Sequence, residues 1–360
     1  LLAPKKALKN MLTIANRLQI PFYPIDAGAG IFSYGQGRDS IFFDFAGPQF
    51  DSQIGVKLQA DKTITNMFLK LLGFPTTDQR TVSSIKQCHE GADQLGLPVV
   101  IKPLSGAQGR GVTANITHHN QIADAFKFAA DNLNVPVIIE KFVEGDAHRF
   151  SISKGNDVIG VACVYPALVI GDGKNNILKL IEIENEQRDS PAENEFTTKK
   201  LVFDKTMAHN LHVIGMDEYS IPKKHSRINL LHTSNSSTGG KTVVLEETDV
   251  HPDNLKMASD ITTSLKLDCT GIDFITQDIS CSWRELGAVI EVNSHPGATD
   301  RQANGILKTH FSDKNNGRID STLIITNNDK FAEQVTQTRK ADGVKVGFAD
   351  LSISTIEGEV

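Results

Sequence analysis

Apolar side chains recur along this chain with two spacings, and the two spacings predict two kinds of secondary structure. In residues 5–19, 61–72, 121–132 and 254–267 they stand three or four positions apart, as on one face of a helix. A Gly-Phe-Pro sequence at 73–75 marks the end of the second segment. Amphipathic helices are therefore predicted in these four places.

Short apolar runs bounded by turn residues lie between the predicted helices and predict strands. They are residues 41–45, 96–103 and 136–143. A glycine-rich stretch at 28–37 precedes the first run and is predicted to be a turn region. Strands that alternate with helices favour a mixed α/β (α+β) class.

The later part of the chain is more polar but keeps a structured pattern. Residues 185–227 retain recurring apolar positions, which predicts helix and loop rather than disorder. The last segment predicts a strand, a helix and a strand at 323–326, 330–338 and 344–348. It is either a small appended βαβ unit or the start of a domain that continues beyond residue 360.

Two apolar strands in the last third of the chain carry acidic side chains. Asp273 interrupts one apolar stretch, and Glu291 and Asn293 alternate with apolar neighbours in the next, so the latter two share a strand face. Oxygen ligands that converge from two neighbouring strands suit a hard cation such as Mg²⁺, which indicates ATP chemistry. The alternative is that these are carboxylates of edge strands that face solvent.

Composition and charge exclude several classes of function. The 360 residues are 39% hydrophobic and 22% charged, as in ordinary globular proteins. The net charge of −6 provides no basic field for nucleic acid, and no apolar run approaches the length of a membrane span. The four cysteines have neither CxxC nor zinc spacing, which indicates a reducing cytoplasm. The first residue is leucine, so a missing segment at either end stays open.

A lysine and a glycine-rich loop form a candidate phosphate site. Lys102 ends a short apolar strand and is followed by the loop at 104–112. Glycines let backbone N–H groups approach a phosphate, and a lysine adds a point charge beside it. The Gly-Lys-Ser/Thr sequence of a P-loop is absent, and a flexible hairpin with a surface lysine is the alternative. The candidate loop positions are Ser105, Gly106, Gly109 and Gly111.

The next apolar strand ends in a segment suited to a purine ring and is followed by an arginine. Phe142 and Val143 offer an apolar wall, although a plain buried strand end explains them as well. Arg149 alternates with apolar residues and is predicted to point into a cleft. There it would neutralise a transferring phosphoryl group or an oxyanion, whereas a surface arginine in a salt bridge is the competing explanation.

Taken in order, these segments resemble the ATP-grasp carboxylate–amine ligases. The resemblance is greatest to the ATP-grasp region of cyanophycin synthetases, and next to the ligase part of bifunctional glutathione synthetases. It covers roughly residues 30–311, and several motifs in the family order are far more specific than a lone match. The segments that carry it are 34–38, 61–65, 98–112, 139–150, 166–173, 235–240, 249–252 and 271–297.

The resemblance implies an ATP-grasp fold, in which two α+β subdomains hold ATP between them. It implies that ATP phosphorylates a substrate carboxylate and that an amine attacks the acyl phosphate, which gives an amide and ADP. The implied cofactors are ATP and two Mg²⁺ ions, which Mn²⁺ can replace. The implied substrates are amino acids or small peptides, and the implied assembly is a homo-oligomer in the cytoplasm.

The resemblance also assigns roles to individual residues. Lys62 and Lys102 would contact the ATP phosphates, and the loop at 105–111 would close over them. Arg149 and Lys102 would act in catalysis. The adenosine site would comprise Glu140, Lys141, Val143 and Asp146, and the metal ligands would be Asp273, Glu291 and Asn293.

Several positions depart from the pattern of the relatives. Ala147 stands where an acidic residue is expected, and Asp146 comes one position early. Cys163 and Val164 replace an arginine pair, and a further expected arginine is replaced at 232–233 by histidine and threonine. The loss of these positive charges changes how an acidic substrate is bound, so the substrate pocket is expected to be altered. The nucleotide-binding residues are expected to be kept.

The predicted domains follow from the same alignment of motifs. An N-terminal segment spans 1–55, the ATP-grasp N-terminal and lid subdomains span 56–145, the magnesium-binding subdomain spans 146–312, and the appendage spans 313–360. Three alternatives to a cyanophycin synthetase-like ligase stay open. They are an ATP-binding regulatory module with reduced catalysis, a glutathione synthetase-like ligase, and a kinase that transfers phosphate without ligation.

Overall fold

The chain folds into helices and antiparallel sheets, which confirms the predicted α+β class. No helix in the described residues is long and apolar enough to cross a membrane. The computed structural model describes residues 6–104, 111–131, 136–189, 195–197, 199–231, 234, 239–294, 296–312, 316–319, 326, 328–341, 348–349 and 354–355.

The N-terminal part is a four-stranded antiparallel meander covered by two helices. The predicted first helix is α1, Lys6–Arg17, which shares a hydrophobic core with α9, Asp300–His310. The prediction of a turn region at 28–37 is confirmed at 28–30 and 35–36 but was wrong at 31–34, where Phe32 and Tyr34 alternate into that core and form a strand. The strands are β1 Phe22–Asp26, β2 Ile31–Tyr34, β3 Ile41–Asp44 and β4 Gly47–Pro48.

A four-stranded antiparallel sheet, here called the small sheet, follows two helices, α2 and α3. The side chain of Asp61 caps α3 by accepting from the N–H groups of Thr63 and Ile64, so the predicted helix begins at Lys62. The strand order in the small sheet is β5-β8-β6-β7. The strands and helices of this part of the chain are α2 Gln53–Ala60, α3 Lys62–Leu71, β5 Gln79–Val82, α4 Ile85–Leu95, β6 Val99–Pro103, β7 Thr113–Ile116, α5 Ile122–Asp131 and β8 Val137–Lys141.

A six-stranded antiparallel sheet, here called the large sheet, forms the rest of the central structure. Its strand order is β12-β14-β10-β9-β15-β16. The predicted helix at 254–267 is α8, Pro252–Ser264, which packs on one face of this sheet. The strands are β9 Asp146–Ser153, β10 Asp157–Tyr165, β12 Glu195–Thr197, β14 Lys241–Leu245, β15 Thr270–Thr276 and β16 Ala288–Asn293.

An insertion between β10 and β14 has a hydrophobic core of its own. The prediction of helix and loop over 185–227 is confirmed in its helix, and short strands occur there as well. The insertion contains β11 Leu168–Ile170, α6 Ile177–Gln187, α7 Lys205–Val213 and β13 Arg227–Asn229.

In the C-terminal segment the predicted helix is confirmed as α10, Asp329–Ala341. The strand predicted at 323–326 lies outside the described residues except for residue 326. The strand predicted at 344–348 overlaps them only at Phe348, which begins β17, Phe348–Ala349, and pairs with β18, Ser354–Thr355.

Alternation along the strands of the large sheet separates a core face from an open face. Phe150 and Ile152 on β9, with Ile272 and Phe274 on β15, are fully buried against α8. The intervening positions therefore project from the opposite face. This alternation decides which side chains meet at the candidate site.

Replacement of Phe150 by alanine is expected to lower the free energy of unfolding by about 3–5 kcal/mol, because a fully buried aromatic side chain leaves a cavity. Denaturant unfolding measures this change. Val202→Ala is the control, because Val202 is 73% exposed and the expected change is within about 0.5 kcal/mol. Equal effects of the two variants would contradict the core assignment.

Candidate active site

The candidate site is a cleft of about 1000 Å³ that lies between the small sheet and the large sheet. Lys102 on β6 and Glu140 on β8 line it from the small sheet, and Arg149 and Asp273 line it from the large sheet. The volume suits a small-molecule site, since such sites are concave and measure several hundred to a thousand cubic ångströms. Two sheets therefore contribute charged side chains to one space.

Three charged side chains form a row across neighbouring strands of the large sheet. Arg149 on β9 is in register with Asp273 on β15, which is in turn opposite Glu291 on β16. All three project from the face opposite the core and line the cleft. The structure thus places Asp273 and Glu291 on adjacent strands, as the sequence predicts.

Each carboxylate of the row is paired with a cation. The Arg149 guanidinium donates from Nε and Nη2 to the two oxygens of Asp273, with 2.8 Å between Nη2 and Oδ2. Lys62, the first residue of α3, donates from Nζ to Oε1 of Glu291 at 2.9 Å. Residues 229 positions apart in the chain thereby meet in one site.

Burial and charge act in opposite directions on these groups. Burial raises the pKa of Asp273, and the Arg149 guanidinium opposes this shift. Burial also raises the pKa of Glu291, but Lys62 and, more weakly, Arg149 and Lys102 outweigh it and hold the pKa below its usual range. Burial lowers the pKa of Arg149, and Asp273 with Glu291 more than offsets this. The row is an electrostatically coupled cluster.

Two positions along these strands, a glycine leaves room for the side chain of Arg149. Gly271 is in register with Ser151 on one side and Asn293 on the other. A Cβ atom on Gly271 would lie 2.8 Å from Nη1 of Arg149, so a side chain at this position would displace the guanidinium. Asn293 is half-buried and shares the face of Glu291, but it is not among the described residues that border the cleft.

The oxygen donors on this face fit a magnesium ion in their chemistry. Two carboxylates and one amide, from Asp273, Glu291 and Asn293, are hard oxygen donors without sulfur or imidazole. Mg²⁺ is held in proteins by one or two carboxylates together with substrate phosphates and water. Asp273 and Glu291, which line the cleft, could therefore hold the metal, with Asn293 two positions from Glu291 on the same strand face.

The small sheet contributes a buried ion pair. Lys102 donates from Nζ to Oε1 of Glu140 at 2.7 Å, and the two side chains are 14% and 7% exposed. Thr77 donates from its hydroxyl to the other Glu140 oxygen at 3.3 Å. A buried carboxylate with these partners accepts two hydrogen bonds, which fixes its orientation at the cleft wall.

The segment that joins the two sheets also lines the cleft. Phe142 and Val143 border it, and the ammonium group of Lys141 is held at 2.8 Å by the carbonyl oxygen of Gly96. Gly145 has a φ of +135°, and a Cβ atom there would lie 2.2 Å from the backbone of Thr276. Only glycine fits at position 145, where the connecting segment passes the end of β15.

Asp146 begins β9, directly after the segment that joins the two sheets. Arg227 on β13 donates to Asp146 at 3.3 Å, and its guanidinium lies 5.3 Å from the ring centre of Tyr165. Ala147 borders the cleft directly opposite Val164, so two of the departures from the relatives face this space. Cys163 points to the other face, where burial raises the pKa of its thiol to about 11.

Several predicted site residues lie outside the part of the chain that the structure describes. Ser105, Gly106 and Gly109 lie outside the described residues, as do His232 and Thr233. Gly111 has a φ of +74°, and a Cβ atom there would lie 3.3 Å from Pro103 and from the backbone of Ala129. These positions remain predictions from the sequence.

Other residues at the cleft were missed by the sequence reasoning. Thr77, Arg227 and Gln302 line it, and Gln302 donates to the Ser151 hydroxyl at 2.7 Å. Thr299 caps α9 in a capping box with Gln302, and this T-x-x-Q pattern was a readable signal for a helix that begins at the cleft. Thr77 and Arg227 carry no such local signal.

Comparison with family models and curated proteins places the chain among known sequences. Residues 67–215 match the model of the ATP-grasp domain. The chain is 32% identical to a cyanophycin synthetase from Crocosphaera subtropica over 293 residues, which is 80% of this chain and 33% of the relative. It is 27% identical to a bifunctional glutathione biosynthesis protein from Mannheimia succiniciproducens, over 68% of this chain and 33% of that one. The chain thus spans about a third of the length of these relatives.

Among solved structures, the chain is similar to a bifunctional glutathione synthetase from Pasteurella multocida. The TM-score is 0.55 and the sequence identity 22%, and the match covers 84% of this chain and 44% of that one. This similarity concerns the fold alone. The predicted ATP-grasp fold is confirmed by the match of residues 67–215 to the ATP-grasp domain model together with this similarity.

Proposed function

This chain carries an ATP-grasp domain, and we propose that it is an ATP-dependent ligase that joins a carboxylate to an amine of amino acids or small peptides. One observation carries the proposal. The row of Arg149, Asp273 and Glu291 faces Lys102 across one cleft, with Lys62 at its end. Cations and carboxylates in this arrangement suit a nucleotide triphosphate and its metal.

The proposed reaction has two steps. A carboxylate oxygen of the first substrate attacks the γ-phosphorus of ATP, the bond from that phosphorus to the bridging oxygen breaks, and ADP leaves. The amine of the second substrate then attacks the carbonyl carbon, the bond to the phosphate oxygen breaks, phosphate leaves, and the nitrogen loses a proton. Binding both substrates beside ATP lowers the barrier mainly by positioning.

Each group of the cleft has a role in this proposal. Lys62 and Lys102 contact the phosphates, and Arg149 stabilises the transferred phosphoryl group and the oxyanion of the second step. Asp273, Glu291 and Asn293 hold Mg²⁺, which when bound neutralises phosphate charge. The adenosine is placed against Glu140, Lys141, Val143 and Asp146.

The existing ion pairs support this assignment. Arg149, Lys62 and Lys102 are each held by a carboxylate at the cleft wall. Cations proposed to bind phosphate and carboxylates proposed to bind a metal are therefore held together in one cluster, and their mutual contacts are exchanged for contacts to the ligands on binding. Preorganised charges of this kind are the main source of catalysis in phosphoryl transfer.

The substrate assignment is the finer part of the proposal. The relatives are named cyanophycin synthetase and bifunctional glutathione biosynthesis protein, and both names fit a ligase that acts on amino acids or peptides. We place the substrates at the end of the cleft bordered by Ala147, Val164 and Arg227. Two Mg²⁺ ions, replacement by Mn²⁺, a homo-oligomer and a cytoplasmic location are further predictions.

The experiment that tests the function is a screen of ADP release over paired amino acids, dipeptides and polyamines, with product masses determined. We expect ADP and phosphate to form only when both a carboxylate and an amine are present, and the product mass to equal their sum less one water. Phosphate transfer that survives omission of every amine would favour a kinase. Binding of ATP with Mg²⁺ but no turnover with any pair would favour a regulatory module.

A further inference from the structure

Helix α7 of the insertion, whose apolar side belongs to the insertion's own core, also contacts the structure around the small sheet. Its residue His209 contacts Thr113 on β7 and Phe128 on α5. Both partners belong to the structure around the small sheet, whereas α7 belongs to the insertion that leaves the large sheet after β10. One side chain therefore joins the structure around the small sheet to the insertion of the large sheet.

The contacts of His209 are specific in geometry. Its Nε2 lies 3.2 Å from Oγ1 of Thr113, which is fully buried. Its imidazole ring stacks on Phe128 with 4.0 Å between ring centres and 16° between planes. Stacked rings together with a hydrogen bond at the ring edge fix both the position and the rotation of the side chain.

The surroundings favour a neutral imidazole at this contact. Burial lowers the pKa of His209, and the nearby His212 lowers it further, while Asp124 on α5 acts in the opposite direction. A neutral ring stacks on Phe128 and still has one nitrogen free to bond with the threonine hydroxyl. The contact therefore does not require a protonated imidazole.

A second contact at the end of α7 supports the first. Gln121 donates from Nε2 to the carbonyl oxygen of Val213 at 3.1 Å, and its Oε1 accepts from the N–H groups of Thr117 and His118. The next residue, Ile214, lines the cleft. The same short segment thus contacts the small sheet and reaches the space where substrates are expected.

From these contacts we propose that His209 is a positioning residue, which ties the small sheet to the insertion and thereby sets its distance from the large sheet, to which the insertion is joined through β10 and β14. The small sheet carries Lys102 and Glu140, and the large sheet carries Arg149 and Asp273, so this distance decides whether one nucleotide can reach both. The kinetic effect expected of this residue rests on the proposed ligase function. Its structural consequence stands without that function.

Three variants of His209 separate its two contacts. His209→Ala removes both the ring stack and the hydrogen bond, His209→Phe keeps the stack, and His209→Gln keeps a group that can bond to Thr113. His212→Ala is the matched control, because it is the same residue type on the same helix and is exposed. Thermal unfolding of each variant identifies any loss of the fold.

The structural test is hydrogen exchange of the full chain without ligands, measured over 99–103 and 113–131. We expect His209→Ala to exchange faster in these segments, His209→Phe to recover part of the protection, and His212→Ala to match the wild type. Equal exchange in His209→Ala and wild type would overturn the proposal. If His209→Ala fails to fold, the comparison of His209→Phe and His209→Gln with the wild type decides the matter in the same way.

The functional test uses the affinity for ATP with Mg²⁺ and, with active substrates, steady-state kinetics. We expect His209→Ala to raise KM for ATP roughly tenfold or more with a smaller change in kcat, because misplacement of one wall weakens contacts to the nucleotide. An unchanged KM together with altered exchange would overturn the link to the nucleotide. Failure of the ligase function would instead appear as absent turnover in the wild type, with the exchange difference retained.

Discussion

Replacement of Glu291 by glutamine should lower the rate of ADP formation by roughly a thousandfold or more, as expected when a charged group that stabilises phosphoryl transfer is lost. Glutamine keeps the shape of the side chain and its ability to accept a hydrogen bond, but it lacks the negative charge that a cation requires. The remaining carboxylate, Asp273, is already held by Arg149. The proposed metal site would therefore lose half of its protein charge.

The fold should tolerate this substitution. Lys62, the partner of Glu291, has a side chain that is 27% exposed, so its ammonium group can turn toward water when the carboxylate is removed. Asp273→Asn is a harsher test, because the side chain of Asp273 is less exposed than that of Glu291, 17% against 35%, and accepts two hydrogen bonds from Arg149. Thermal unfolding should thus show a larger loss for Asp273→Asn than for Glu291→Gln.

ADP release at several Mg²⁺ concentrations measures the effect on turnover. Residual activity of Glu291→Gln should need a higher Mg²⁺ concentration, and a chelator should abolish the activity of the wild type. Glu285→Gln is the matched control, because Glu285 is exposed and precedes β16 in the same part of the chain. Activity of Glu291→Gln equal to that of Glu285→Gln would exclude Glu291 as a metal ligand.

The elements of the site could be predicted from sequence more readily than the contacts between them. The alternation of Glu291 and Asn293 predicted their shared face, and the strand geometry places them on one. The isolated Asp273 in an apolar stretch was predicted to converge with Glu291 from a neighbouring strand, and it lies opposite Glu291. Period-two patterns are local, so a single sequence is enough to read them.

The pairing of cations with these carboxylates could not be predicted in this way. Arg149 and Asp273 are 124 positions apart, and Lys102 and Glu140 are 38 apart, so their contacts depend on strand order and register. Nothing in the local pattern states that β9 lies beside β15. The ion pairs follow from the topology of the sheets rather than from the composition of any segment.

Errors in the predicted elements have similar causes. The strand β2 was overlooked because glycines surround it, whereas its burial is decided by α1 and α9, which come from opposite ends of the chain. The helix α2 was also missed. It contains Gly55, whose missing side chain allows close approach to the carbonyl oxygen of Leu265. Tertiary packing thus overrides a local preference at both places.

Replacement of Arg149 by lysine should lower kcat for ADP formation by about a hundredfold or more, with a smaller change in KM for ATP. Lysine keeps the positive charge but cannot donate two parallel hydrogen bonds, as the guanidinium does to Asp273. A shorter, more hydrated cation would also leave the space above Gly271 that the guanidinium now fills. The charge would then be displaced from the proposed phosphoryl group by an ångström or more.

The division between kcat and KM is what makes this prediction informative. A group that binds ATP equally before and during the reaction changes KM, whereas a group that acts on the transferred phosphoryl changes kcat. Arg149→Ala should remove still more activity and should destabilise the fold, since Asp273 would be buried without its partner. Arg80→Lys is the control, because Arg80 is exposed on β5. The contradicting result is a raised KM for ATP in Arg149→Lys with a kcat equal to that of Arg80→Lys. Arg149 would then be a nucleotide-binding residue. The oxyanion of the proposed second step would need another hydrogen-bond donor from the cleft.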